Sequence, residues 1–507
     1  MALKLILGDI RTQEYVGAQA GAMVIADDRI AFVGTRDAAL EIIIDSPYTL
    51  QDYGNNVVLP GFIDSHIHFL AYGMGRLRQA DLMGCADLDE LLERLRTQAI
   101  KTDSGWIEGR GFDQQAYPNN EWPTRELLDS ISTTRPVLIT RVCGHAVVAN
   151  SAALALLTSE QLAEGNAETG LFTEVAIRHL RRHIPKPSQS DQEAAVLEAA
   201  DVALSQGITS VGTLLDTADQ LGAYLRLEKA NQLPVRMTGM PPYASIEHLK
   251  TFAIQTGFGS DRVKIGGAKL FSDGSLGART ALMAADYSDA SGVLGERIYS
   301  PNHLSEMCLD AVQHGFQLVI HAIGDQANRE SLAAIIGAMG NNRTNPLRHR
   351  VEHISVLDSS LVEQIVEWNI VCAIQPQFVT SDTWTIDRIG AERSKWAYAF
   401  RTLWDRGVRL ALGSDCPVEV LSSAKVLSAA IHRSPWSPHE TLTLDEALYG
   451  YTLNSAYSIF RDDIIGSLET GKFADFIVYD CAFENLGNCL AAGIVPCEAW
   501  TNGVRVR

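Results

Sequence analysis

The sequence predicts an α/β protein with a (β/α)8 TIM-like barrel, a small β-sandwich domain built from both chain termini, and an insertion over the barrel mouth. Three observations predict this fold. Short apolar runs alternate with amphipathic segments eight times in a chain of 507 residues. Both ends of the chain are rich in short strand-like runs, and a long stretch separates the first two apolar runs.

The terminal segments, residues 1–58 and 467–507, have the texture of antiparallel strands joined by Gly and Asp turns. The runs LKLILGD and GAMVIADDRIAFVG lie near the N-terminus, and the run GKFADFIVYD lies near the C-terminus. Two β-rich ends that flank a different middle predict one small β-sandwich domain assembled from both.

The middle of the chain, residues 59–466, is the predicted barrel. Eight alternations favour a closed barrel over an open parallel sheet. The apolar runs, the first of which begins just before the barrel, are residues 57–69, 207–215, 234–240, 262–271, 316–324, 348–354, 370–378 and 408–415.

Two long connections interrupt this alternation. Residues from about 70 to 206 are too many for one crossover and contain the strand-like pieces WIEGRGF and RPVLITRVCGH, so they predict an inserted subdomain. Residues from about 272 to 300 form a loop rich in Gly, Ser and Asp. Because loops after barrel strands build the active site in this architecture, both connections are predicted to line a pocket.

Composition and charge exclude several classes of protein. Lys plus Arg is 42 and Asp plus Glu is 61, and the net charge of −19 repels phosphate backbones and anionic lipid. No apolar stretch approaches the length of a membrane span, and the N-terminus lacks a signal-peptide core. The eight cysteines contain no C-x-x-C pair, which argues against a zinc ribbon and a disulfide framework. We therefore expect a cytoplasmic protein with a small-molecule substrate, and a homodimer only as the general prior for soluble enzymes.

A metal site is predicted from residues at the ends of four apolar runs. His66 and His68 point to the same face because strand side chains alternate with period two. His321, His353 and Asp415 end three other runs, and the carboxyl ends of barrel strands converge on one mouth. Four imidazoles and a carboxylate suit zinc or another borderline divalent metal. The alternative is that each histidine is a satisfied core residue.

Lys269 is unusual because it lies on an apolar strand, in AKLF. Burial disfavours the ammonium form and lowers the pKa of a lysine. A neutral amine can capture carbon dioxide, and the resulting carbamate is an anionic ligand that can bridge two metals. Alternatively, Lys269 or its neighbour Lys264 pairs with a carboxylate such as that of Asp273.

These motifs resemble the amidohydrolase superfamily. The resemblance rests on LPGFIDSHIHF, VIHAIGD, RHRVEHI, LALGSDCPV and the closing GSLETGKFADFIVYD. More narrowly, GGAKLFSDGSLGARTA, WIEGRGFDQ and TRVCGHAVVANSAAL look like the amidohydrolase-3 branch, which includes N-substituted formamide deformylase and other metal-dependent hydrolases. These separated motifs occur in the family's order over nearly the whole chain.

The resemblance implies a ligand set. Lys269 matches the strand-four lysine of the branch, which in related enzymes can be carboxylated. One metal would be held by His66, His68, Asp415 and the Lys269 carbamate, and a second by the carbamate, His321 and His353. A site with a single metal is the alternative.

Further residues are substrate-binding candidates. The resemblance suggests that His145 faces the substrate and polarises or hydrogen-bonds a carbonyl, the alternative being a structural histidine bonded within its own loop. Asn150, Asp113 and Arg279 are weaker candidates. Asp113 could cap a turn, and Arg279 could be a surface charge or a clamp for an anionic group.

The function implied is hydrolysis of a carbon–nitrogen bond, in an amide, N-acyl or N-formyl group of a small molecule, by metal-activated hydroxide. Asp415 would accept the proton of the water and deliver it to the leaving nitrogen. Deamination, or opening of a cyclic amide, lactone, ester or phosphoester, is the alternative on the same site, because a fold does not fix a reaction. A non-catalytic binding protein with a vestigial site is the alternative from another class.

Overall fold

In the computed structural model, the chain forms two compact units, one of residues 1–69 with 200–507 and one of residues 70–199. No helix within the described part of the chain combines the length and the apolar composition that crossing a bilayer requires. The structure describes residues 3–101, 105–142, 144, 146–173, 176–215, 217–433 and 437–507.

The N-terminal segment forms five strands, with one helix between the third and the fourth. These elements are β1 (Leu3–Arg11), β2 (Gln19–Ala26), β3 (Arg29–Gly34), α1 (Arg36–Ile43), β4 (Tyr48–Pro60) and β5 (Phe62–Ile67). Strand β1 pairs antiparallel with β2 but parallel with β4. The prediction of purely antiparallel strands here is therefore wrong: α1 carries the chain back along the sheet, so β4 runs in the direction of β1.

The unit of residues 70–199 has its own five-stranded sheet. Its elements are α2 (Phe69–Arg78), β6 (Gln79–Asp81), α3 (Leu88–Lys101), β7 (Ile107–Phe112), α4 (Arg125–Asp129), β8 (Val137–Arg141), β9 (Ala146–Ala149), α5 (Ser151–Leu154), α6 (Ser159–Leu162), β10 (Leu171–Thr173), α7 (Ile177–Arg181) and α8 (Gln189–Ser205), of which α2 begins one residue before the unit and α8 extends beyond it. The strand order is β10-β9-β8-β7-β6. The predicted strand-like pieces contain β7 and β8, and Leu91, Leu95 and Ile139 lie in the unit's buried apolar core.

From residue 208 onward, strands and helices alternate. The elements are β11 (Ile208–Leu214), α9 (Ala218–Lys229), β12 (Arg236–Met240), α10 (Tyr243–Thr251), β13 (Val263–Ile265), β14 (Ala268–Phe271), α11 (Pro301–Gln313), β15 (Leu318–Ala322), α12 (Asp325–Met339), β16 (Arg350–His353), α13 (Ser359–Glu367), β17 (Val371–Ile374), α14 (Phe378–Ser381), α15 (Thr385–Ser394), α16 (Phe400–Asp405), β18 (Leu410–Leu412), α17 (Ser423–Ile431), α18 (Leu444–Tyr449), α19 (Ser455–Ser458), β19 (Phe476–Tyr479), α20 (Phe483–Ala491), β20 (Glu498–Thr501) and β21 (Val504–Arg505).

Each of the eight predicted runs contains a strand, and these strands form two parallel sheets. Their orders are β13-β12-β11-β5 and β14-β15-β16-β17-β18. The fourth run contains two short strands because Gly266 and Gly267 separate β13 from β14. A Cβ on Gly267 would lie only 2.6 Å from Cγ2 of Val319 and 2.7 Å from the carbonyl oxygen of Gln317, so the close approach of β15 requires a glycine.

The two parallel sheets contact each other at residues predicted for the metal site. A parallel bridge joins Pro242, after β12, to Lys269 on β14. On the other side, the Asp415 amide donates to the His66 carbonyl at 2.8 Å, and the His68 amide donates to the Cys416 carbonyl at 2.9 Å. Main-chain contacts between the sheets thus position both Lys269 and the H-x-H motif.

Strands from both termini form a fourth sheet, of seven strands, in the order β21-β20-β19-β4-β1-β2-β3. Strand β4 joins the two termini because it pairs with β1 from Tyr48 onward and with β19 over Val57–Pro60. These strands therefore form one continuous mixed sheet and not the two sheets of the predicted sandwich. Apolar clusters on this sheet include Ile6, Val58 and Phe476. The exact domain boundaries stay a prediction of the sequence.

Candidate metal centre

Three of the predicted ligands form a buried cluster. His66 on β5, His353 on β16 and Asp415 after β18 each offer one ligand atom, and these atoms lie within 4.8 Å of one another. Oδ1 of Asp415 lies 3.3 Å from Nε2 of His66 and 3.4 Å from Nε2 of His68. This oxygen has no hydrogen-bond partner among the described residues. Burial would raise the pKa of Asp415, but the two imidazoles hold the pKa well below its usual value, so the carboxylate is ionised.

The four predicted histidine rings lie next to one another. The ring centroids are 6.0 Å apart for His66 and His68, 5.1 Å for His66 and His353, and 4.5 Å for His321 and His353. Burial and the neighbouring His321 lower the pKa of His353 well below its usual value, which favours the neutral ring that binds metals. The structure therefore brings together four imidazoles from three strands.

His321 has one ring nitrogen occupied by the main chain. Its Nε2 lies 3.0 Å from the carbonyl oxygen of Gly274, which accepts a hydrogen bond if this nitrogen carries the proton. A Cβ on Gly274 would lie 2.2 Å from Oγ1 of Thr280, so a glycine is needed at this contact. In this tautomer Nδ1 of His321 is the nitrogen left to bind a metal.

Lys269 is buried on β14 without a polar partner. Its side chain is 3% exposed, and its Nζ finds no hydrogen bond in the part of the chain that the structure describes. Burial lowers the pKa of Lys269 to about 8, although the carboxylates of Glu352 and Asp415 oppose this shift. Asp273, the alternative partner, instead accepts hydrogen bonds from main-chain amides. The other lysine considered, Lys264, donates to the Phe460 carbonyl at 3.4 Å.

Two of the clustered residues have a left-handed backbone. The φ angles are +70° at His353 and +57° at Asp415, a region that non-glycine residues rarely adopt. Such conformations cost about 1–3 kcal/mol and persist where the surrounding structure imposes them. Regular alternation would turn His353 to the face opposite that of Glu352, so the change in backbone direction is what lets both residues approach His66.

Sequence analysis missed Glu352, which is fully buried beside His66. Its Oε2 accepts a hydrogen bond from Nδ1 of His66, and Arg350 binds both carboxylate oxygens at 2.6 Å and 2.7 Å. Burial would raise the pKa of Glu352, but Arg350 and His66 hold it well below its usual value. A carboxylate on Nδ1 fixes the tautomer that leaves Nε2 of His66 for a metal. The sequence signal that could have identified Glu352 is its spacing of two residues from Arg350, which places both side chains on the same strand face.

Two further missed residues orient the site. Nδ1 of His353 lies 2.7 Å from Oε1 of Gln375, so the Gln375 side chain fixes this ring as Glu352 fixes His66. Asp64 is buried and accepts hydrogen bonds from the amides of His66 and Ser414. Burial raises the pKa of Asp64 to about 6. Asp64 could have been found from sequence, because it precedes His66 with the period-two spacing of the H-x-H motif.

The other substrate-binding candidates have separate contacts. Arg279 binds both carboxylate oxygens of Asp289, at 3.0 Å and 2.8 Å. In the unit of residues 70–199, Asp113 accepts from Arg141 at 2.8 Å. Asn150 caps helix α5 and accepts from the amide of Val137, which is a structural use of its side chain. The structure thus does not bring Arg279 into the histidine cluster. His145 lies outside the described residues, so its predicted role stays a prediction.

The residues present fit a divalent metal. The cluster offers imidazole nitrogens whose opposite ring nitrogens are fixed by acceptors, and a carboxylate oxygen that lacks a hydrogen bond within the described residues. The buried Lys269 amine adds a second polar atom without a partner there. Unpaired buried polar atoms are costly unless a ligand compensates them, so this donor set suits a divalent metal.

Comparisons with known proteins agree with this site. A model of the amidohydrolase family matches residues 49–496. The chain is similar to the protein LONG AFTER FAR-RED 3 of Arabidopsis thaliana, with 30% identity over 502 residues, 93% of this chain and 86% of that protein. It is 26% identical to N-substituted formamide deformylase of Arthrobacter pascens over 518 residues, 94% of this chain and 93% of that protein.

A solved structure is also similar over most of the chain. An uncharacterized metal-dependent hydrolase from Pyrococcus furiosus shares 31% identity and a TM-score of 0.82, covering 94% of this chain and 99% of its own. The predicted resemblance is therefore confirmed, and the α/β fold is that of the amidohydrolases. The chain belongs to the amidohydrolase family and is a hydrolase whose clustered histidines and aspartate suit a divalent metal.

Proposed function

We propose that this chain is a zinc-dependent hydrolase that cleaves a carbon–nitrogen bond in a small molecule, namely an amide, N-acyl or N-formyl group. The observation that carries the proposal is the buried Lys269 amine, which has no hydrogen-bond partner in the described chain. Burial lowers its pKa to about 8, although the carboxylates of Glu352 and Asp415 raise it. A lysine in this position is suited to become an anionic metal ligand.

The proposed ligands come from both parallel sheets, which in this proposal close into the predicted (β/α)8 barrel. When bound, the metal polarises the scissile carbonyl and lowers the pKa of water towards neutrality. One ion would be held by His66, His68, Asp415 and carboxylated Lys269, and a second by the same carbamate, His321 and His353.

Carboxylation of Lys269 follows from its burial. The neutral amine attacks the carbon of carbon dioxide, a nitrogen–carbon bond forms, and one amine proton leaves to solvent. Because burial lowers the pKa of Lys269 to about 8, about a tenth of the side chain is neutral at pH 7, far more than for an exposed lysine. The carbamate carries two oxygens and a negative charge. It therefore replaces a buried amine without a hydrogen-bond partner by an anionic group that can bind a metal.

Asp415 is the proposed proton carrier. Its carboxylate is ionised and has an oxygen free of hydrogen bonds from the described residues, so it can accept a proton from the attacking water. It then delivers this proton to the leaving nitrogen, which departs as an amine. Glu352 and Gln375 keep the rings of His66 and His353 in fixed tautomers throughout.

The test compares the wild-type enzyme with Asp415→Asn. We expect about 10²–10⁴-fold lower turnover of N-formyl and N-acyl amides, while elemental analysis finds most of the metal retained. Asp310→Asn, which removes a carboxylate on helix α11, is the matched control and should keep full activity. Near-native turnover by Asp415→Asn would contradict the role of Asp415.

A substrate panel tests the bond that is cleaved. It contains linear amides, cyclic amides, lactones and amino-substituted heterocycles, and the products are identified by mass spectrometry. Amine or carboxylate release from linear amides supports the proposal. Ammonia release from a heterocycle, or turnover restricted to lactones, would replace it with another reaction. Absence of stoichiometric metal, with no activity gained on adding zinc, would favour a binding protein.

A further inference from the structure

We propose that Phe271 is an aromatic wall of the substrate pocket, which selects substrates with a flat, apolar substituent next to the scissile bond. This inference rests on the proposed function, because it describes the same site. It assigns a specificity-determining role to a side chain that neither the metal ligands nor the proton carrier require.

Phe271 lies in register with the metal ligands. It is the last residue of β14, two positions after Lys269, so both side chains leave the strand on the same face. On the neighbouring strand, the residue paired with Phe271 is His321. The centroid of the Phe271 ring lies 5.4 Å from that of His321 and 4.6 Å from Nζ of Lys269. The ring therefore contacts two predicted ligands that come from different strands.

The Phe271 side chain is accessible although its surroundings are closed. It is 40% exposed, whereas residues 268–270 and 272–273 on either side are buried. Removing a large apolar side chain from water lowers the free energy, so an exposed ring beside a polar site offers a favourable contact surface to an apolar ligand. The Lys269 amine lies over the ring, and the exposed part of the side chain is the surface that the proposal assigns to a substrate.

A second aromatic residue at the site serves as an internal comparison. The ring of Phe378 stacks on His353 with an interplanar angle of 23° and a centroid distance of 5.9 Å. Phe378 is buried, so its ring packs against the ligand histidine and leaves little surface for a substrate. The two rings thus have different uses, and only the exposed ring of Phe271 can add contact area to a bound molecule.

The gain from a planar substituent follows from ring stacking. Aromatic pairs at centroid distances of roughly 4.5–7 Å gain affinity beyond the burial of their area, up to about tenfold. An aliphatic side chain at position 271 would keep the apolar surface but lose this term. The preference for a planar over a methyl substituent therefore depends on the ring itself, which separates a specificity role from a structural one.

The first experiment measures binding without turnover. Zinc-loaded wild-type enzyme, Phe271→Leu and Phe271→Tyr are titrated with benzohydroxamate and acetohydroxamate, which share a metal-binding group and differ in a phenyl or methyl substituent. We expect Phe271→Leu to reduce the preference for benzohydroxamate about five- to tenfold, and Phe271→Tyr to retain it. An equal preference in all three proteins, or equal weakening of both ligands, would overturn the aromatic wall.

The second experiment separates this inference from the reaction. The same proteins are assayed with formanilide and N-methylformamide, and the ratio of the two kcat/KM values is compared between variants. If both amides are hydrolysed and the ratio is unchanged in Phe271→Leu, the aromatic wall is wrong and the proposed function stands. If neither amide is hydrolysed while the hydroxamate preference depends on Phe271, the proposed reaction is wrong and the aromatic wall stands.

Discussion

Replacement of Glu352 by Gln tests whether the buried carboxylate behind His66 supports the metal centre. Glu352 accepts three hydrogen bonds, one from Nδ1 of His66 and two from the Arg350 guanidinium. Arg350 also donates to the Ser65 carbonyl at 2.9 Å and to Oγ of Ser458 at 3.0 Å. Glu352 and Arg350 have fully buried side chains. The substitution keeps the volume of the side chain and removes its charge.

The expected magnitudes follow from these three contacts. Glutamine has one acceptor oxygen, so its NH2 group must face a donor of either Arg350 or His66, and at least one hydrogen bond is lost. Arg350 keeps a buried charge without its counter-ion, which costs about 3–5 kcal/mol of the free energy of unfolding. Loss of the carboxylate that binds Nδ1 of His66 should weaken metal binding by about 10–100-fold, as removal of an outer-sphere carboxylate does in other metal sites.

Two measurements on one set of variants separate these effects. Urea unfolding of the metal-free protein gives the stability, and competition with a chromophoric chelator gives the zinc affinity. In the double variant Arg350→Met, Glu352→Gln the unpaired charge is gone, so we expect most of the stability to return while the zinc affinity stays low. If Glu352→Gln bound zinc as tightly as the wild type, or if the double variant restored that affinity, the role assigned to Glu352 would be refuted.

Two further predictions concern residues around the strands. Burial lowers the pKa of His349 from 6.5 to about 4. Between these pH values the folded state binds fewer protons than the unfolded chain, so the free energy of unfolding falls by about 3 kcal/mol as the pH falls from 6.5 to 4. His349→Asn keeps an acceptor for the Leu318 amide and should flatten this part of the curve of unfolding free energy against pH; an unchanged slope would contradict the assignment. In Gly413→Ala, the new Cβ would lie 2.8 Å from the amide nitrogen of His66, so we expect reduced zinc content by elemental analysis. Gly337→Ala, where a Cβ meets nothing within 4 Å, should keep its zinc, and equal zinc content in both variants would argue against the contact.

Strand periodicity and strand ends carried most of the sequence-based prediction. The eight apolar runs each contain a strand because the strands of a parallel sheet are buried on both faces and read as continuous apolar segments. The spacing of His66 and His68 predicted that both rings point to the same face, and in the structure both Nε2 atoms lie within 3.4 Å of Oδ1 of Asp415. These features are local, so the sequence contains them.

Features that depend on long-range pairing were beyond the sequence. The sequence predicted that both termini share one domain but not which strands join them: the last residues of β4, Val57–Pro60, pair with a strand more than 400 residues later in the chain. The partnership of Glu352 with His66 spans 286 residues and involves a residue that alternation places on the opposite face from His353. The left-handed backbone at His353 lets both Glu352 and His353 approach His66, and no local sequence signal encodes that angle.

The alternatives that the sequence left open for Lys269 depend on where the hydrogen bonds of Asp273 go. Asp273 lies four positions after Lys269, a spacing equally consistent with an ion pair. In the structure its carboxylate accepts from the amides of Ile323 at 3.1 Å, Gly324 at 2.9 Å and Leu282 at 2.9 Å, which ties the loop after β14 to the end of β15. A carboxylate engaged by three amides has little to gain from an ammonium group. The loop contacts of Asp273 therefore leave Lys269 without an ion pair to this carboxylate, and they support the proposal that Lys269 is carboxylated.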